Sequence, residues 1–120
     1  MRIARYLLLV SVCFTCISCR GQLIVERQTR VAGELDALAT ALQIFRQLTG
    51  RLPTPEEGLR VLVEPPANSI PSWRQLMEKV PNDPWGRPYR YVVSPTDPRG
   101  YDLYSLGPDP EKRSDDIHLK

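Results

Sequence analysis

The chain has 120 residues, enough for one domain whose core needs no staples. Three of its 16 basic residues, Arg2, Arg5 and Arg20, stand at the front, which leaves 13 against 14 acidic residues from Gly21 onward. A body so close to neutral carries no basic stripe, and a nucleic-acid-binding surface is excluded.

Arg2 and Arg5 precede a short apolar run, residues 6–18 (YLLLVSVCFTCIS). The run is shorter than the about 20 residues that span a bilayer comfortably, and its pattern is that of an export signal. Residues 1–20 are therefore assigned to an export signal or membrane anchor, and residues 21–120 to the domain. The run closes with CISC at residues 16–19 and turns polar at once. This resembles a bacterial lipobox, with Cys16 where leucine is usual, and makes Cys19 the residue for lipidation. Simple cleavage and an uncleaved anchor are the other two outcomes. Cys13, Cys16 and Cys19 are the only cysteines. A metal or iron–sulfur reading of their spacing fails for want of a fourth ligand in a segment that belongs in the membrane. With no cysteine after Cys19, the domain has no internal disulfide even if exported.

Residues 29–50 are the stretch around which the rest is organised. Val31, Leu35, Leu38, Leu42, Phe45 and Leu48 recur at spacings of three and four, one face of an α-helix. Strong helix formers fill the other faces, and Gly50 suits the left-handed residue that follows a helix end. Gly33 predicts a loose first turn. The stripe reads as the spine of a small domain and is too short for a sustained coiled-coil seam.

All 12 prolines follow Leu52, so the remainder is turn-rich, with short elements. Thr54, Pro55 and Glu57 form a compact helix start: a cap, a first-turn proline and a glutamate that reaches back. Leu59, Leu62 and Val63 give that helix its apolar side, and Pro65 and Pro66 stop it. Ser72 and Gln75 form a second capping pattern, opening one or two turns that carry Leu76 and Met77. Residues 82–89, NDPWGRPY, make a rigid turn in which Gly86 permits the bend and Trp85 supplies the apolar anchor. Two strands follow, residues 89–93 and 101–106, alternating in side-chain character and joined as an antiparallel hairpin by the loop 94–100. Arg87 and Arg90 beside aromatic residues could suggest a single-strand nucleic-acid platform, but no wider basic field supports one.

The run TGRLPTPEEGL, then NDPWGRPYRY, then YDLYSLGPD, then DDI resembles the major pseudopilin of the bacterial type II secretion system, the protein G family. Order and spacing match from about residue 31 to 117, and DPWG-x-PY-x-Y together with YDLYSLG-x-D is a specific pair of motifs. The resemblance implies an α+β fold: a long N-terminal spine helix packed on a small antiparallel sheet, with short helices in the connecting region. Trp85, Gly86, Pro88 and Tyr101 are its structural anchors. It also implies a calcium site in the loop after the hairpin. By motif the side-chain ligands would be Asp109 and Asp116, with backbone carbonyls near Leu106 and His118. Two carboxylates plus carbonyls suit a hard cation, which takes several oxygens. The family loop is glycine-rich, whereas here Pro108, Pro110, Lys112 and Arg113 intervene, and the alternative is a solvated polar tail in which Lys112 and Arg113 neutralise the carboxylates in place of a metal.

At the front the departure is larger. The family has a peptidase site of the form Gly-Phe-Thr-Leu-Ile-Glu followed by a hydrophobic helix. Here Gly21 to Glu26 (GQLIVE) keeps the glutamate's offset, but the charged segment RQTR follows it. The apolar run precedes the site, so filament packing lacks its usual driving force. The resemblance implies a non-enzymatic structural or assembly component of a type II secretion pseudopilus, acting in protein secretion across the outer membrane. Its partners would be other pseudopilins or secretion-system envelope proteins. Its place would be the cell envelope of a Gram-negative-type bacterium, attached to the membrane by the N-terminus with the domain in the periplasm. The alternative is a lipid-anchored envelope binding module that uses the domain outside a filament. An enzyme is disfavoured: His118 is the single histidine, near the end, and no nucleophile, phosphate-loop or metalloprotease motif appears.

Overall fold

The computed structural model describes residues 3–68 and 70–120, with side chains from Arg20 onward. One helix, α1, spans Ile3–Thr49. The chain divides into two units, Met1–Arg30 and Val31–Lys120. In the first, α1 continues through Gly21, and Leu23, Ile24 and Val25 are exposed. The side chains of Cys13, Cys16 and Cys19 lie outside the described residues. Among the described residues no helix is long and apolar enough to cross a membrane.

The second unit is built on the spine. Val31, Leu35, Leu38, Ala41, Leu42 and Phe45 are buried on one face of α1. Each large apolar side chain so buried stabilises the fold by about 1.5–3 kcal/mol. Leu48, expected on this face, is 39% exposed. At 100° per residue it lies about 100° around the helix from Val31, at the edge of the stripe. The loose turn expected at Gly33 is absent, since α1 passes through it unbroken. The end is as expected: Gly50 takes φ +76° and its amide donates to the Arg46 carbonyl at 2.8 Å, the αL closure of a helix.

The Thr54 box forms in both directions. The Glu57 amide donates to Thr54 Oγ1 at 3.2 Å and the Thr54 amide to Glu57 Oε2 at 3.1 Å. Gly58, at φ +56°, ends that turn, and the chain continues as a 3-10 helix, Gly58–Leu62, burying Leu59, Val61 and Leu62. Val63, expected on the apolar side, is only half-buried.

The second capping pattern does not open a helix; residues 73–77 are irregular. Tertiary bonds replace the helical ones. The Trp73 indole donates to the Val61 carbonyl at 2.7 Å, and the amides of Leu76 and Met77 both donate to the Leu62 carbonyl, at 2.9 and 3.1 Å.

The sheet is antiparallel and three-stranded, in the order β1 (Arg90–Val93), β2 (Tyr101–Ser105), β3 (Ile117–His118). Tyr91 pairs with Leu103 and Val93 with Tyr101. In β2 the inward positions Tyr101, Leu103 and Ser105 are buried, which is the alternation expected. Tyr89 precedes β1 instead of starting it. Its ring is buried, and its hydroxyl donates to the Glu34 carboxylate on α1. β3 was not foreseen, since two residues carry no period. A second 3-10 turn, Arg113–Asp115, leads into it.

Candidate functional site

The loop between β2 and β3 is the first region of interest. The register pairs Tyr104 with His118 and Ser105 with Ile117. The ladder ends with these pairs: beyond them the Gly107 amide turns to Ser105 Oγ and the Asp115 amide to the Lys112 carbonyl. Gly107 has φ +69°, and a Cβ on it would lie 2.1 Å from the Asp115 carbonyl oxygen. The two backbones touch there, so only glycine fits. Leu106 and Asp116 are the chain neighbours of that contact.

The resemblance-derived residues now have positions. Asp116 Oδ1 is buried and has no hydrogen-bond partner. Asp115 beside it is served, by Lys112 at 3.7 Å and by the Ser114 hydroxyl at 3.4 Å. Asp109 is exposed in the intervening loop, where its Oδ1 accepts the Glu111 amide at 3.1 Å. The Leu119 amide donates to the Leu103 carbonyl at 2.9 Å, which marks Tyr104–His118 as a pair without mutual hydrogen bonds. The His118 carbonyl therefore points away from β2. Its imidazole is otherwise engaged, stacked on Tyr104 at 4.8 Å with Nδ1 3.0 Å from Asp102 Oδ2.

Among the described residues no group of three or more His, Cys, Asp and Glu side chains is placed to hold a metal. A cation here would draw on carbonyls as well as carboxylates, as calcium does. An orphaned buried carboxylate oxygen is costly, and a hard cation is a fitting partner for it.

The second region is the turn at residues 82–89. Its buried residue is Asp83, 2% exposed. Asp83 Oδ1 accepts the amides of Trp85 at 3.1 Å and Arg87 at 2.8 Å, and Oδ2 accepts the Ser105 hydroxyl at 2.8 Å. Ser105 Oγ in turn accepts the Gly107 amide at 3.1 Å, and Arg87 Nη1 donates to the Gly107 carbonyl at 2.8 Å. The anchors expected from sequence sit around this network. Trp85 is half-buried against the core, and Gly86 takes φ +81°. Pro88 is exposed and bridges to Asn82, and Tyr101 is buried in β2. Asp83 was missed because an aspartate before proline normally signals a solvated turn. The available signal was its reach to amides two and four residues on.

A third cluster closes the chain after α1. Arg51 makes a two-pronged ion pair with Glu57, at 2.8 and 2.9 Å, and lies over the Phe45 ring. Its guanidinium, with the Thr54 amide, lowers the Glu57 carboxyl below its ordinary range against the opposing effect of burial. The Tyr91 hydroxyl donates to the Pro53 carbonyl at 2.9 Å, and burial pushes that phenol up to about 12, with help from Tyr101 and Glu57. A groove of about 850 Å³ runs beside Asp36, Gln43, Arg46, Arg99 and Lys120. It brings no nucleophile–base pair together.

The model of the family "Type II secretion system (T2SS), protein G" matches residues 21–119. The chain is 37% identical over 93 residues to type II secretion system core protein G of Pseudomonas aeruginosa, covering 73% of this chain and 64% of that protein. It is 38% identical over 96 residues to the core protein G of Klebsiella pneumoniae, covering 76% and 66% respectively. The aligned part thus spans slightly under two thirds of these relatives. Among solved structures, the major pseudopilin from the type 2 secretion system of enterohaemorrhagic Escherichia coli superposes with a TM-score of 0.66 at 31% identity, covering 82% of this chain and 90% of that one.

Proposed function

This chain belongs to the type II secretion system protein G family, and we propose that it serves as a non-enzymatic structural subunit of a pseudopilus that moves proteins across the outer membrane. The observation that carries this reading is the family match over residues 21–119, supported by a pseudopilin fold at 31% identity. The partners are other pseudopilins or secretion-system envelope proteins. The N-terminal segment attaches the chain to the membrane of a Gram-negative-type envelope, and the domain stands in the periplasm. A calcium ion completes the β2–β3 loop, held by Asp116 and Asp109 with carbonyls near Leu106 and His118. The unpartnered Asp116 Oδ1 supports that assignment.

Deleting the gene in its native bacterium tests the secretion role. Exported proteins are expected to accumulate in the periplasm and to be released again when the gene is restored; unchanged secretion overturns the reading. Intact-mass analysis of the protein from its native membrane tests the attachment. A chain starting at Gln22 is expected of a pseudopilus subunit. A chain starting at acylated Cys19 favours instead the lipid-anchored module outside a filament.

A further inference from the structure

Gly107 sits at the root of the β2–β3 loop, and both of its backbone polar groups are held by side chains. Its amide donates to Ser105 Oγ and its carbonyl accepts from Arg87 Nη1. Ser105 is 0% exposed and is itself fixed by Asp83 Oδ2. Asp83 also holds the amide of Arg87, so one buried carboxylate sets the backbone on which the arginine stands and the hydroxyl that meets Gly107. None of these groups is among the residues assigned to calcium. The network is closed within the protein and needs no ion to form.

We propose that Asp83, Arg87 and Ser105 are positioning residues for the cation site: they hold Gly107 against Asp115 before any ion arrives, and so present Leu106 and Asp116 to it together. This inference rests on the calcium assignment above. Groups that orient metal ligands from outside typically change affinity 10- to 100-fold when removed. The sign of the Arg87 effect separates positioning from charge. A guanidinium near a cation site repels the ion, so a purely electrostatic role predicts tighter binding when it is lost. Positioning predicts weaker binding.

The test is calcium titration calorimetry on the full chain in detergent, with wild type, Arg87→Met and the milder Ser105→Ala, each checked for native circular dichroism. Both variants are expected to bind calcium about 10- to 100-fold more weakly. In wild type under chelator, the Gly107 amide is expected to stay protected from hydrogen exchange, and in Ser105→Ala to lose that protection. Should Arg87→Met fail to fold, Ser105→Ala decides alone. Wild-type affinity in folded Ser105→Ala, or tighter binding in Arg87→Met, overturns the proposal. So does an unprotected Gly107 amide in wild type without calcium. Wild type that binds no calcium removes the calcium assignment itself, and with it this inference. That failure is distinct because it appears before any substitution is made.

Discussion

Two loops of the second unit are fixed in opposite ways. The segment after α1, residues 50–58, closes on itself. Glu57 meets the Arg51 guanidinium and the Thr54 amide, Thr54 returns the bond, and Gly50 and Gly58 supply the two left-handed residues. The loop between β2 and β3 is just as poor in apolar side chains, and it is pinned at Gly107, yet Asp116 Oδ1 is left buried without a partner. A loop with little hydrophobic content needs polar closure. The first loop's carboxylate is fully met by its own guanidinium and amide, whereas in the second Lys112 reaches Asp115 and Asp116 Oδ1 stays unmet, the acceptor that the proposed cation would complete.

The sharpest way to break the second loop is at its root. Gly107→Ala places a Cβ against the Asp115 carbonyl and forces alanine into φ +69°. It is expected to cost about 3 kcal/mol, read as a lower thermal midpoint, since strain and backbone overlap act together. The same change at Gly50, also at positive φ but with open space around it, should cost less. Next in size is the ion. With calcium at a hundred times its dissociation constant, wild type should gain about 2.7 kcal/mol over chelator. Asp109→Ala and Asp116→Ala should each abolish that sensitivity in thermal melts.

The first loop should respond to acid and not to chelator. Glu57 is lowered in the fold, so its contribution is present above the ordinary glutamate value of about 4.3 and is lost as pH falls through the folded value. Glu57→Gln should cost about 1–2 kcal/mol near neutral pH and flatten that part of the acid limb of a stability–pH curve. The smallest effect belongs to Tyr91. Its raised value means that its contribution is intact below about 10 and fades as pH climbs toward about 12. Tyr91→Phe should cost about 1 kcal/mol at pH 7, for the lost bond to Pro53, and soften the alkaline loss seen in denaturant titrations.

The same contrast explains what was legible in the sequence. The first loop is local: cap, proline and glutamate lie within four residues, and the box forms as read. The spine stripe is periodic and was legible to Phe45, though Leu48 drifted off the face. The hairpin was legible because Tyr101, Leu103 and Ser105 alternate. The Ser72 pattern misled because the distant Leu62 carbonyl took the amides of Leu76 and Met77. The β2–β3 site depends on contacts between residues far apart in the chain. Asp83 reaches Ser105, Arg87 reaches Gly107, and β3 exists only because β2 is there to pair with it. No local pattern encodes such contacts; the family resemblance supplied Asp109 and Asp116, and gave Asp83 and Arg87 no role at this loop.

The most direct test of the contrast is residue-by-residue amide hydrogen exchange on the full wild-type chain, with calcium and with chelator. Calcium should slow exchange across residues 108–116, leave the Gly107 amide protected in both conditions, and leave residues 50–58 unchanged. Equal responses in the two loops, or none in the β2–β3 loop, would contradict the account.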